Sequence, residues 1–257
     1  MDYSKPCLFV KGAYTPNKKQ EKPMLTITQF RYGADNFAYL VAGPTTAVAI
    51  DPGATEAILD YLTTHGLALS HVVNTHTHAD HTSGNAPLIQ KTGAMHLDFQ
   101  TLLEAGSLTI DGEKLLIHHT PGHMPDCLTF ENQGCLITGD TLFNGTVGTC
   151  FSGDMESFLK SIIFLLTFPN ETLIYAGHDY VAESMAFARI IEPENEAEIA
   201  AYLARYSSDH VVSTLAEEKR ANPFLRFNEK NLIATMKKRG LPVETEIQRW
   251  LSVMELY

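Results

Sequence analysis

Thiols are scarce in this 257-residue chain, and none of its four cysteines, Cys7, Cys127, Cys135 and Cys150, forms a Cys-x-x-Cys pair. That excludes a zinc ribbon and a thioredoxin-type motif, and makes reduced thiols in a cytoplasm the expected setting. Positive charge is short as well: 19 Lys and Arg against 30 Asp and Glu give a net charge of −11. Nucleic acid or an anionic membrane would want a basic face, so neither is an expected partner. No apolar run is long enough to span a bilayer, and the first residues lack the apolar core and cleavage pattern of a secretory leader. Internal repeats and low-complexity tracts are missing too.

What remains is globular: apolar residues make up 44% and charged residues 19%, in a chain long enough to bury a sizeable core. Residues 1–23 read as a loose lead-in. Short apolar or alternating runs at 24–30, 37–41 and 47–50 read as strands, separated by Gly33 and by Gly43-Pro44. The spacing of Ala57, Ile58, Tyr61 and Leu62 predicts a helix over 55–65, ended by Gly66. A strand at 70–75, a helix from about 85, further strands and a helix over 155–166 follow. Beyond His178 the pattern turns helical, at 181–191, 194–207, 211–220, 229–239 and 243–256. The expected organisation is an extension (1–23), an α/β domain (24–180) and a helical segment packed on it (181–257), with the site between the last two.

Seven metal-binding side chains fall beside the ends of four apolar runs. His76, His78, Asp80 and His81 follow the run at 70–75; His123, Asp140 and His178 follow runs at 114–119, 134–139 and 172–177. If those strands share one sheet, their ends converge at one edge. Imidazoles and carboxylates without thiolate suit zinc, iron or manganese in a catalytic site. In a loop leaving a strand, His76 and His78 bend toward one point, and His123 completes three histidines on one ion. Asp80 and His81, further on, serve a neighbouring ion with His178, and Asp140 is the natural bridge. Two divalent ions roughly 3.5–4 Å apart, sharing a hydroxide, form a hydrolytic centre. Asp51, which ends the run at 47–50, either holds a ligand histidine from behind or caps the turn at Pro52-Gly53. His65, His71, His96, His118, His119 and His210 lack such context and read as surface or satisfied core residues. Cys127 and Cys150 lie near the site loops, where small buried residues are the simpler reading.

The motifs THTHADH, TPGH, TGDTLF and AGHDY resemble, in order, the ligand motifs of the metallo-β-lactamase superfamily. ESMAFARIIEPEN and EEKRANPFLR resemble the helical C-terminal region of its glyoxalase II (hydroxyacylglutathione hydrolase) branch. The resemblance implies an αββα sandwich and two divalent ions (Zn, Fe or Mn) per chain. Carried over, it puts His76, His78, His123 and Asp140 on the first ion and Asp80, His81, Asp140 and His178 on the second. It implies a small-molecule hydroxyacyl thioester as substrate, Asp140 and Asp80 as catalytic groups, and Tyr180 as a contact to the substrate thiol. In that family the loop after the bridging Asp carries a basic residue and an aromatic one that hold glutathione. Here Thr149 and Phe151 stand at those positions, and the last helix offers only Arg249 as a cation. Glutathione carries two carboxylates, so losing charged partners weakens its clamp, and glutathione is a doubtful thiol carrier on this reading. Lys237-Lys238-Arg239 reads as a solvated helix end. The alternative is a persulfide dioxygenase-like oxidoreductase with one iron on His76, His123 and Asp140.

Overall fold

A computed structural model describes residues 25–257; the lead-in expected over 1–23 lies outside the described residues. Strands β1 (Thr26–Tyr32), β2 (Asn36–Ala42), β3 (Thr46–Ile50), β4 (Ala68–Val73) and β5 (Met95–His96) form a first sheet in sequence order. Helix α1 (Thr55–His65) joins β3 to β4, and α2 (Ala79–Thr82) and α3 (Asn85–Thr92) join β4 to β5. Helix α4 (Phe99–Ala105) leads to a second sheet of β6 (Ser107–Ile110), β7 (Glu113–His119), β8 (Leu128–Asn132), β9 (Cys135–Gly139), β10 (Leu173–Ala176) and β11 (Ser213–Thr214). Helix α5 (Met155–Leu165) connects β9 to β10, and α6 (Val181–Ile191) and α7 (Glu196–Arg205) precede β11. Helices α8 (Leu215–Ala221), α9 (Lys230–Lys238) and α10 (Glu246–Leu256) follow it.

Alternation along β2 explains the layering. Every residue of β2 is buried, because side chains of period two are covered on both faces. Phe37, Tyr39 and Val41 point inward, into a cluster with Leu115, Ile117, Phe130 and Ile137 of the second sheet. Ala38, Leu40 and Ala42 point outward, into a cluster with Ile58 and Leu62 of α1 and Leu88 of α3. The second sheet repeats the scheme: Ile137 and Tyr175 face inward, while Leu136 and Ile174 pack with Phe158 and Ile162 of α5 and Trp250 of α10. The result is the four-layered αββα sandwich.

The C-terminal helices contribute to both clusters. Met185 and Ala188 of α6 and Ile199 and Tyr202 of α7 join the interior one, and Leu215, Leu232, Met236 and Trp250 join the outer one. A helix expected over 211–220 begins instead at Leu215. Its first residues are spent on β11, antiparallel to β10, and the Thr214 capping box starts the helix.

The four strands that lead to the ligands do not share one sheet, contrary to the simplest expectation. Strand β4 lies in the first sheet and β7, β9 and β10 in the second. Convergence follows from stacking. Strands β9 and β10 are parallel, and β7 runs the same way because both it and β9 are antiparallel to β8. Main-chain bonds join the two sheets at the edge where these strands end: Leu128 N donates to Thr75 O at 2.7 Å, and Phe37 N to Gly177 O at 2.8 Å.

Candidate metal centre

Just beyond β4 the chain makes the buried turn at Thr75-His76 and then winds into α2, with extended His78 ahead of it. Asp80 and His81, inside that helical turn, are thereby carried past His76 and His78. Positions after β9 and β10 supply Asp140 and His178, and the loop after β7 supplies His123.

The structure brings the seven side chains into two groups. His76, His78, His123 and Asp140 offer ligand atoms within 4.8 Å of one another, as do Asp80, His81 and His178. In the first group His78 Nδ1 lies 2.9 Å from His76 Nε2 and 3.0 Å from His123 Nε2. In the second, His178 Nε2 lies 3.2 Å from His81 Nε2 and 3.4 Å from Asp80 Oδ2. Asp140 stands between them: Oδ2 is 3.4 Å from His123 Nε2 and 3.5 Å from His178 Nε2, and Oδ1 is 3.3 Å from His81 Nε2. Backbone gives it this room. A Cβ on Gly177 would overlap Asp140 Oδ1, and one on Gly148 would overlap the Asp140 carbonyl.

Outer partners fix the rings. Asp51 is fully buried and accepts from Thr75 N, Thr75 Oγ1 and His81 Nδ1, the last at 2.9 Å. It also adopts a positive φ of 51° before Pro52, but its side chain turns to Thr75 and His81 and does not cap the turn at Pro52-Gly53. Two residues that the sequence did not flag also reach the ligands. Asp35 Oδ1 lies 2.9 Å from His178 Nδ1, and Asn36 Nδ2 donates to Asp80 Oδ2 at 2.9 Å. Asp35 ends the turn after β1 and Asn36 opens β2, where Asp and Asn read as ordinary turn formers; no signal in one sequence separates the two roles.

The charges follow the packing. Burial opposes ionisation of Asp140, yet the imidazoles of His178, His81 and His76 beside it hold its carboxyl well below the usual range. Burial likewise opposes charge on His81, but Asp51 and Asp140 outweigh it and push the imidazole up to about 11. His76 is pulled down to about 4, chiefly by burial.

Around the mouth, Tyr180 stacks on His178 at 5.2 Å between centroids and meets the Phe143 ring edge-on. Phe151 is 65% exposed and turns its ring toward His78 and His123. Thr149 points to solvent, and its carbonyl lies 2.8 Å from His123 Nδ1. Arg249 bonds Asn228 Oδ1 and the Val243 and Glu244 carbonyls. The six other histidines are in neither group. Burial pushes the Cys127 thiol up to about 12, which makes it a poor nucleophile.

Divalent ions fit these residues on three counts. The donors are imidazole nitrogens and carboxylate oxygens, the set that zinc, iron and manganese accept. Bonds of about 2.0–2.1 Å in a tetrahedron put ligand atoms about 3.3 Å apart; within the two groups neighbouring ligand atoms lie 2.9 to 3.8 Å apart. Finally, Asp140 Oδ1 is buried without a hydrogen-bond partner, a cost of about 1–3 kcal/mol that a cation removes.

A four-layered sandwich with paired His/Asp groups at the shared edge of its two sheets is the framework of a metallo-β-lactamase-fold protein. The model of the metallo-beta-lactamase superfamily matches residues 32–100 and 95–178, and that of the hydroxyacylglutathione hydrolase C-terminus matches residues 179–251. A hydroxyacylglutathione hydrolase of Pseudoalteromonas translucida (strain TAC 125) is 32% identical over 245 residues, covering 88% of this chain and 95% of that one. Among solved structures, the BLEG-1 B3 metallo-beta-lactamase superposes with a TM-score of 0.59 at 22% identity, over 78% of this chain and 99% of that one, a likeness of fold. TTHA1623 in a di-iron-bound form superposes with a TM-score of 0.54 at 25% identity, over 77% and 100%. The chain belongs to the metallo-beta-lactamase superfamily and, within it, to the glyoxalase II-like (hydroxyacylglutathione hydrolase) metallo-hydrolases.

Membership through the C-terminal region corrects two expectations. It does not favour the doubt over glutathione that Thr149 raised. Position 149 also gives the site a main-chain carbonyl, 2.8 Å from His123 Nδ1. The single-iron dioxygenase alternative is not favoured either, since a second complete ligand group stands beside the first. Among the described residues no helix is long and apolar enough to cross a membrane.

Proposed function

We propose that this protein hydrolyses hydroxyacyl thioesters of glutathione, with two divalent ions per chain drawn from zinc, iron or manganese. The observation that carries the reading is Asp140 standing between two complete ligand groups, in a chain whose tail matches the hydroxyacylglutathione hydrolase C-terminus. His76, His78 and His123 would hold one ion, and Asp80, His81 and His178 the other, with Asp140 offering an oxygen to each. When bound, such a pair supplies Lewis acidity, which acidifies water and polarises a carbonyl.

The chain's own groups do the rest. Asp80, with a side chain 47% exposed, takes up the proton of the attacking water at its carboxylate, and Asn36 holds that carboxylate in place. Tyr180, stacked on His178, aims its hydroxyl at the departing thiol. The Phe151 ring walls the mouth beside His78 and His123 and shelters the acyl group from water, while Thr149 borders the thiol's path. The free thiols of Cys127, Cys135 and Cys150 support a cytoplasmic setting.

The test is thiol release from S-lactoylglutathione by the purified chain, with metal content measured on the same sample. Release that is abolished by chelation and restored by added divalent metal supports the reading. A sample holding two ions per chain that releases no thiol refutes it.

A further inference from the structure

Four of the five ligand histidines place their outer ring nitrogen against an acceptor, and the two halves of the centre differ in which kind. In the first half the acceptors are neutral: Thr75 Oγ1 lies 3.1 Å from His76 Nδ1, and the Thr149 carbonyl 2.8 Å from His123 Nδ1. In the second half both are carboxylates: Asp51 on His81 and Asp35 on His178, each at 2.9 Å. A carboxylate that accepts from Nδ1–H fixes the tautomer, turns the Nε2 lone pair inward and makes that nitrogen a stronger donor.

We propose that Asp35 and Asn36 are positioning residues that set the ion affinity of the Asp80–His81–His178 half independently of the other half; this rests on the two-ion reading above. One dipeptide reaches both rim-side ligands of that half. Asp35 holds His178 from behind, and Asn36 holds Asp80 Oδ2 while its amide lies 3.4 Å from His178 Nε2. No hydrogen bond of either side chain goes to His76, His78 or His123. The dipeptide is itself held by main chain. Asp179 N donates to Asp35 O at 2.9 Å, and Asn36 pairs with His178 in a strand-like bridge. A side-chain change at Asp35 leaves those bonds in place, and with 37% of that side chain exposed the fold has little at stake there.

The experiment strips the 257-residue chain of metal and titrates it with Zn²⁺ against a chromophoric chelator, resolving two dissociation constants. Losing an outer partner of a ligand histidine typically weakens metal binding about 10- to 100-fold. Asp35→Ala should weaken one step on that scale and leave the other within about twofold. Asp35→Asn keeps an oxygen that accepts from His178 Nδ1 and loses the charge, so it should recover part of the loss. Asn36→Ala should weaken the same step less than Asp35→Ala does. Thermal unfolding of the metal-free variants, unchanged from the parent, checks the fold. Equal weakening of both steps, no weakening, or no recovery in Asp35→Asn overturns the proposal. A parent chain that takes up only one Zn²⁺ overturns the two-ion reading itself, a result distinct from the others.

Discussion

In the ligand cluster His76, His81, His123, Asp140 and His178 are all buried, and each ring or carboxylate has neighbours that leave it one orientation. In the adjoining loop over 145–153, Phe151 is 65% exposed and Thr149 faces solvent, although the backbone beneath them is tightly fitted at Gly148. At Thr149 and Phe151 the loop thus gives the cluster its main chain and leaves the side chains to whatever enters the mouth. Residue identity is constrained in the first region by ligand chemistry; in the loop, packing constrains residues 145–148, and only Thr149 and Phe151 are left to the substrate.

Substitutions graded from one region to the other test that contrast. Asp140→Asn should be the most damaging, because it strips charge from the one group placed between both halves. Activity should fall about 1,000-fold or more, several kcal/mol of lost transition-state stabilisation, with both Zn²⁺ dissociation constants raised. Asp51→Ala comes next: it orphans Thr75 N and His81 Nδ1 in a buried place. Denaturant titration should show a loss of about 3 kcal/mol, together with weaker metal binding. Tyr180→Phe keeps the ring stack and deletes only the hydroxyl. Steady-state kinetics on S-lactoylglutathione should show KM raised roughly fivefold, about 1 kcal/mol, with metal content unchanged. Thr149→Ala, which preserves the carbonyl on His123, should change kcat and metal content by less than about twofold. A large loss there would erase the distinction between the two regions.

The same contrast governs how much could be read from the sequence. Helices α1 and α6 were legible to the residue, and α5 to within one, because their apolar spacing is that of a buried stripe. Helix α4 was not: it has seven residues, buries only Leu102, and is started by Asp98 rather than by any periodicity. The candidate ligands stood out because four donors, three histidines and an aspartate, crowd one short loop, and the structure gathers them into two groups. Their distribution over two sheets was not legible, since strand partners many residues apart leave no mark in a single sequence. Asp35 was hidden because its local role, making a turn, uses the same residue type as its distant one. The start of α8 was readable in hindsight, as Thr214-x-x-Glu217 spells a capping box inside what looked like a continuous helix.

The stitching of the sheets beside the ligands has one more consequence. Each half of the cluster draws groups from both covers of the sandwich: His76 and His78 meet His123 and Asp140, and Asp80 and His81 meet His178. Any ion seated in either half is therefore a rivet through the protein as well as a reagent, and its binding energy adds to cohesion by mass action. Metal starvation should then register as softening, through earlier melting and faster proteolysis, and not as a silent loss of turnover.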